Sequence, residues 1–409
     1  MTLPYVPQYK ITIDGQPLTP ALLAAVSSIN YQDAIEGADR VEVTFANQNL
    51  KLLDDLQLQV DNGFKLSIGY APDTLEEVFV GEITGVEPTF PNSGMPTIKV
   101  VAHDFLQRLT RGKADRAFYL NTTSINNFPI PDAIVVSLVS ATNLLIPFPD
   151  PFGGALSFLA GLAIYLSDPA EAQKSIRVQQ GSSDFEFLST ISKANGWEMA
   201  IDHTKEPHGY ILRFRSLFQD YTSDFTLTYG KSLMEFSPRI TTVGDVSGVA
   251  ARIWVEAIKT EFEIVVGWDF DRSVFTLKVS PGIGSLEGVP SPEDAAEKPS
   301  KPKKTLSKTV SFAQAGLKIL ADLLPRLNNR VTASGSTVGD PRIKSGTVID
   351  VEGVGDEFGG TWRITSATHT FGNAGYKTNF EARKEVWFGS LPKPKSLAGT
   401  FSIQGQRLG

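Results

Sequence analysis

The chain has 409 residues, of which 41% are hydrophobic and 20% charged, so it can bury a sizeable core and is not a disordered polymer. A formal charge of −7 argues against a general nucleic-acid surface, and no nucleic-acid specificity is expected. There is no cysteine, which excludes disulfides, thiolate metal sites and cysteine nucleophiles.

The N-terminal MTLPYVPQYK lacks the charged-then-apolar pattern of a secretory leader. The first 105 residues read as strands. In RVEVTFAN, Val41, Val43 and Phe45 alternate with Arg40, Glu42 and Thr44, and in GFKLSIGY, Phe64, Leu66 and Ile68 alternate with Lys65 and Ser67. Period two marks a strand with one buried face. Asp14-Gly15 and Asn62-Gly63 are turn signals, and further strands are predicted at 78–90 and 96–103.

Residues 127–174 form an insertion of distinct composition. Positions 130–166 carry only two charges, Asp132 and Asp150, and Asp150 lies between Pro149 and Pro151. Each half, 133–149 and 151–167, is too short as a helix to cross the roughly 30 Å hydrocarbon core. Two short apolar helices joined at Pro-Asp-Pro and packed on protein are expected, with membrane contact through 130–166 as the alternative.

Ser183 and Glu186 then have capping-box spacing, Phe185, Leu188 and Ile191 share one helix face, and Asn195-Gly196 stops the helix. WEMAID and YILRFR read as a hairpin, and strands are predicted at 225–229, 249–257, 262–268 and 274–279. Residues 290–305 are proline-rich and densely charged, a linker or long loop. A second helix is predicted from Ser311 and Gln314 through Leu317, Leu320, Leu324 and Leu327, kinked or ended at Pro325. Strands fill 346–387, and an extended tail follows.

The most informative feature is an internal repeat. ITGVEPTFPNSGMPTI at 83–98 aligns without gaps to ITSATHTFGNAGYKTN at 364–379, with seven of sixteen positions identical. Each copy reads as strand, F-x-N-x-G turn, strand. The turn residues are Phe90, Asn92 and Gly94 in one copy and Phe371, Asn373 and Gly375 in the other. Asn and Gly are expected to supply the positive φ that a tight hairpin needs. A repeat this far apart implies two similar domains rather than a solenoid.

Residues that carry chemistry are sparse. Gly230-Lys231-Ser232 ends like a phosphate loop, but Phe225 stands where its first glycine belongs. Gly353, Gly355 and Gly359 lack dinucleotide spacing. His103 and His369 sit singly on strands, while His203 and His208 share one turn with no third metal ligand placed by spacing. Glu352, Asp356 and Glu357 read as a solvated loop tip, and Asn121-Thr122-Thr123 as an unused sequon. No catalytic, metal-binding or cofactor-binding residue is assigned, no cofactor is expected, and the chain is not read as an enzyme. Carboxylates are numerous enough that counting does not rule out a hydrolase pair.

Taken in order, GADRVEVTFAN, GFKLSIGY, VFVGEITGVEPTFPNSGMPTIKVVAHD, QQGSSDFEFLSTISKANGWEMAID, LTYGKSLMEFSPRIT, VGWDFD and VGDPRIKSGTVIDVEGVGDEFGGTWRITSATHTFGNAGYKT resemble the late control D family. These are baseplate hub proteins of contractile phage tails and related injection systems, similar also to the hub part of type VI secretion spike proteins. The resemblance spans most of residues 8–388. It implies a homotrimer whose chains each carry two β-barrel-like domains, so that six domains ring the tail axis and adapt a six-fold tube to a three-fold spike. The implied partners are the tail-tube protein, a separate spike protein and other baseplate components. The implied location is a phage tail or injection particle assembled in the cytoplasm, with a membrane-anchored particle as a variant. The chain departs from the family in its longer, more apolar 127–174 and in ending soon after the second barrel without a spike domain.

The expected fold is mainly β with an α+β middle region. Residues 1–120 would form the first β-barrel-like hub domain, and 121–224 the middle domain with the insertion. Residues 225–388 would form the second hub domain with a Pro/Lys-rich loop at 285–310, and 389–409 an extended tail. The competing functional readings are a cell-wall hydrolase of the baseplate and a membrane-associated adaptor.

Overall fold

The computed structural model describes residues 6–121, 127–149, 176–216, 222–241, 248–255, 260–269, 274–282, 304–309 and 323–385. The first part of the chain runs β1 (Val6–Ile13), β2 (Gln16–Pro17), α1 (Pro20–Ala25), β3 (Val26–Ala34), β4 (Arg40–Ala46), β5 (Gly63–Ala71), β6 (Glu76–Thr89) and β7 (Thr97–Asp104). The middle part holds β8 (Ala114–Leu120), β9 (Phe128–Pro129), α2 (Asp132–Thr142), β10 (Ile146–Pro149), β11 (Arg177–Ser182), α3 (Asp184–Asn195), β12 (Trp197–Asp202) and β13 (Ile211–Ser216). Then come β14 (Phe225–Thr228), β15 (Glu235–Ile240), β16 (Gly248–Val255), β17 (Thr260–Asp269), β18 (Val274–Gly282) and β19 (Lys304–Thr309). The last strands are β20 (Val331–Val338), β21 (Val348–Glu352), β22 (Gly360–Gly372) and β23 (Gly375–Arg383).

Local chemistry explains the element ends. Asp14 and Gly15 take positive φ, 49° and 75°, and turn β1 into β2. Ser183 Oγ accepts from Glu186 N at 3.2 Å, Glu186 Oε2 accepts from Ser183 N at 2.9 Å, and Gly196 closes α3 at φ 66°.

The fold is mainly β. Among the described residues its largest sheet has thirteen strands and contains two six-strand runs of the same order. The first run is β3-β4-β7-β6-β5-β1, and the second is β15-β20-β23-β22-β21-β14. Every neighbouring pair within the runs is antiparallel except β14 with β21. The runs join where β22 pairs with β3. No barrel closes among the described residues; the sheet stays open.

Alternation sets the burial. Val41, Val43 and Phe45 are buried with Ile11, Phe64, Leu66 and Phe79 in a first core, and Trp362, Ile364, Phe380 and Ala382 lead a second. A third core lies in the middle region, where Val135, Val136 and Val139 of α2 and Leu188 and Ile191 of α3 pack on β12 and β13.

Three boundaries differ from those expected. β8 pairs with β11 and β9, not with the first run, so the run ends at Asp104. Residues 248–282 with 304–309 form a separate four-stranded sheet, β18-β17-β16-β19, so the second run draws instead on 225–240 and 331–383. The first apolar half of the insertion is helical only over Asp132–Thr142. Ile146–Pro149 is a strand, parallel to β13, because Pro147 and Pro149 lack the amides a helix needs. Residues 150–175 lie outside those described, as does 310–322, the start of the predicted second helix. Residues 323–328 are helical and run through Pro325. Among the described residues no helix is long and apolar enough to cross a membrane.

Candidate functional site

The two repeat segments occupy equivalent strands. Ile83–Thr89 lies in β6 and Ile364–Thr370 in β22, and each strand returns antiparallel through its F-x-N-x-G turn. Both strands also carry a bulge at the same repeat position. Register shifts between Ile83 and Gly85 and between Ile364 and Ser366, setting Thr84 and Thr365 out of the ladder. Thr84 Oγ1 then reaches His103 Nδ1 at 2.6 Å, while the Thr365 carbonyl accepts from Ile35 N at 3.0 Å.

The turns differ in detail. Thr89 pairs with Thr97, but Thr370 pairs with Lys377, so the second turn is one residue shorter and the returning strands are offset by 280 rather than 281. Burial follows the corrected offset: Ile98, Val100 and Ala102 match Thr378, Phe380 and Ala382, all buried. Gly94 and Gly375 take positive φ, 99° and 90°, while Asn92 and Asn373 do not, so glycine alone supplies the left-handed backbone.

The phenylalanines have opposite fates. Phe371 is 7% exposed and Phe90 is 59% exposed. The cause is the junction between the runs. Beyond its bulge, β22 pairs with β3 from Ser366↔Ala34 to Phe371↔Ile29. Phe371 and Tyr376 thereby enter the first core, where Tyr9 meets the Phe371 ring edge-on at 5.7 Å. Further bonds lock the junction: Ser345 N donates to Asp33 Oδ2 (2.8 Å), Tyr70 OH to the Gly339 carbonyl (2.8 Å) and Lys344 Nζ to Glu76 Oε1 (2.5 Å). On β6 the matching stretch, Gly85–Thr89, pairs only with β7 among the described strands, and its other edge is open. β15 is likewise the open end of the second run.

The middle region is tied to the second run by buried charge. Arg363 of β22 donates to Glu198 of β12 through both terminal nitrogens (3.0 and 2.5 Å), and Glu385 accepts from Arg363 and Arg383. Burial alone would raise the Glu198 carboxyl, but Arg363 and Arg383 more than offset it and hold the group below its ordinary value.

The scattered histidines resolve differently from their spacing. His203 and His208 share a turn but do not converge on one point: His208 Nδ1 lies 2.9 Å from the His203 carbonyl. The His203 ring points instead at Asp39 and Asp104, at 3.4 and 4.0 Å. His369 is buried in the junction. Of the acidic loop, Glu352 meets Thr228 Oγ1 at 3.4 Å and the Glu357 carbonyl accepts from Lys384 at 3.2 Å. Residues 122–126, with most of the sequon, lie outside those described.

This fold occurs among solved structures. The 43 kDa tail protein of prophage MuSo2 from Shewanella oneidensis is similar at TM-score 0.59 and 12% identity, over 93% of this chain and 99% of that one. A tail protein from Neisseria meningitidis MC58 is similar at TM-score 0.56 and 9% identity, over 95% of this chain and 100% of its own. The Escherichia coli c3393 protein, a type VI secretion component with structural similarity to the phage T4 tail proteins gp27 and gp5, gives TM-score 0.52 and 11% identity, over 94% of this chain and 77% of that one. The chain thus has the fold of phage tail and type VI secretion proteins. Residues 165–373, about half the chain, match the family model described as the Alg8 N-terminal domain, and the chain belongs to that family. No curated protein matches its sequence.

Proposed function

We propose that the chain is a structural, non-enzymatic baseplate component, and more specifically a hub of the late control D kind, built from two repeat domains around a middle region. Three copies would close a ring of six repeats between tail tube and spike, in a phage tail or a phage-like injection particle. The observation that carries this reading is one junction made within the chain and its equivalent left open. Two runs of the same strand order carry the same bulge, yet β22 is covered by β3 while no described strand covers the matching edge of β6. In one chain a repeat of this kind leaves one edge at each end, and a head-to-tail ring of identical copies satisfies both.

The equivalence gives a register. β15 holds the place of β3, and pairing through β20 and β23 sets Phe236, Pro238 and Ile240 as counterparts of Ile29, Tyr31 and Asp33. Repeating the internal junction between copies would set Phe236 opposite Phe90, Pro238 opposite Pro88 and Ile240 opposite Val86 of the neighbour. The exposed Phe90 would then be covered as Phe371 is.

The absence of cysteine makes the test direct. Opposed antiparallel residues have Cα separations of about 4.5–5.5 Å, within reach of a disulfide. A chain carrying both Phe90→Cys and Phe236→Cys should form covalent trimers under oxidation in the assembled baseplate, and neither single variant should. Covalent dimers that never close into trimers, or no cross-link in assembled particles, would sink the ring.

A further inference from the structure

We propose that Asp39, Asp104 and His203 form a buried site for one divalent metal ion, for which zinc is the probe. The ion would pin the middle region to the first strand run. Asp39 precedes β4, Asp104 ends β7 and His203 follows β12, so three distant parts of the chain converge. One ligand atom from each lies within 4.8 Å of the others, the only such group among the described residues. All three residues are buried, at 5%, 3% and 6% exposure.

The donor geometry suits a cation. His203 Nε2 is 3.4 Å from Asp39 Oδ2 and 4.0 Å from Asp104 Oδ2. Ligands at about 2.0–2.2 Å from a tetrahedral zinc stand about 3.4 Å apart, so the group would draw in by less than about 1 Å on loading. The other carboxylate oxygens are already held. Asp39 Oδ1 accepts from Ala34 N at 3.2 Å, and Asp104 Oδ1 accepts from Leu106 N at 3.0 Å. Tyr31 OH steadies Asp39 Oδ2 at 3.3 Å, and the His203 ring stacks on Phe79 at 5.7 Å. Such second contacts aim ligands at a metal.

The independent observation is the imidazole itself. His203 is buried, yet neither ring nitrogen has a hydrogen-bond partner. Leaving a buried polar atom unpaired is costly, and a metal on Nε2 would remove part of that cost. Beside the group lies a cavity of about 100 Å³, lined among others by Tyr31, Asp33, Asp39, Asp202, His203 and Lys344. It has room for the water a three-ligand site takes as its fourth donor. A dication would compensate two carboxylates that otherwise repel. The competing occupant is a single proton shared between Asp39 and Asp104.

The test uses the full chain, stripped with a chelator and titrated with zinc chloride. One zinc per chain should bind and raise Tm by several degrees. Asp104→Asn, close in shape, and His203→Gln should each weaken zinc binding by about 100-fold or more, while His208→Gln, in the same turn, should bind as the parent does. Circular dichroism of the stripped variants separates lost binding from lost folding, and the stripped parent alone suffices if both fail to fold. No zinc bound by the parent, or zinc bound equally by parent, Asp104→Asn and His203→Gln, would overturn the site. A Tm that rises in Asp104→Asn without zinc, with no zinc response in the parent, would assign the cluster to the shared proton.

Discussion

His369 of β22 lies directly opposite Tyr31 of β3, their rings stacked 5.5 Å apart with 16° between planes. Both are buried, at 0% and 1% exposure. The second repeat thus reaches the first through a ladder and a shared core at once. Phe371, two residues on, stacks on Tyr376 at 4.1 Å. Phe371→Ala would empty a packed site, with an expected loss of about 3–5 kcal/mol in folding stability. Phe90→Ala, at the matching but exposed position, should change monomer stability by about 0.5 kcal/mol or less while weakening self-association. Urea unfolding and light scattering on both variants check the pair. Equal stability losses would mean the two positions are not environmentally distinct.

His369 also gives a pH signature. Its Nε2 lies 2.9 Å from the Ile343 carbonyl, which can only accept, so Nε2 carries the proton and Nδ1 accepts from Tyr376 OH (2.9 Å) or Thr378 Oγ1 (3.1 Å). Burial lowers the imidazole to about 4, although the Ile343 bond opposes this. Below the ordinary value of about 6.5 the unfolded chain takes up a proton that the folded chain refuses. Stability is therefore lost as pH falls from 6.5 towards 4. Asp33, raised by burial to about 7, acts in the opposite sense, losing stability as pH rises. Comparison with His369→Gln isolates the histidine: denaturation midpoints at pH 7.5, 6 and 5 should fall less steeply in the variant. An unchanged slope would show that His369 protonates alike in both states.

Glu198 faces two buried guanidinium groups, with Arg363 2% exposed at its side chain and Arg383 10%. Glu198→Ala would leave them with Glu385 as their remaining carboxylate partner, at an expected cost of about 3–5 kcal/mol. Because the Glu198 carboxyl is held low, its contribution is present above the ordinary carboxylate value and fades as pH falls through the folded value. Thermal unfolding at pH 7 and pH 4 should show the gap between parent and variant shrinking at low pH.

Two glycines of β6 should respond oppositely to alanine. A Cβ on Gly81 would sit 2.1 Å from the His103 carbonyl oxygen, whereas one on Gly85 would meet only Val101 Cβ at 3.9 Å. The carbonyl belongs to β7 backbone and cannot yield without breaking the Gly81↔Asp104 register. Gly81→Ala should cost about 1–3 kcal/mol or more, and Gly85→Ala should fall within about 0.5 kcal/mol. Matched denaturation curves measure both.

Much of the local structure was legible in residue order because its causes are local. Period-two alternation around Val41 and Phe64, the Ser183–Glu186 box and the Asn195-Gly196 stop each depend on neighbours a few residues away. The repeat was legible for a related reason, since two copies of one hairpin keep the same turn chemistry. Its single-residue gap was not, because a shorter turn moves the returning strand without disturbing any local pattern. Tertiary structure alone decided that Phe371 is buried while Phe90 is exposed. The difference comes from β3, more than 300 residues from Phe371 in sequence, filling one edge while no described strand fills the other. The convergence of Asp39, Asp104 and His203 is of the same kind. His203 looked like half of a pair with His208 because sequence spacing measures distance along the chain. Ligand geometry depends on distance through space, and the packing of the middle-region sheet that holds β12 against the sheet that holds β4 and β7 sets that distance.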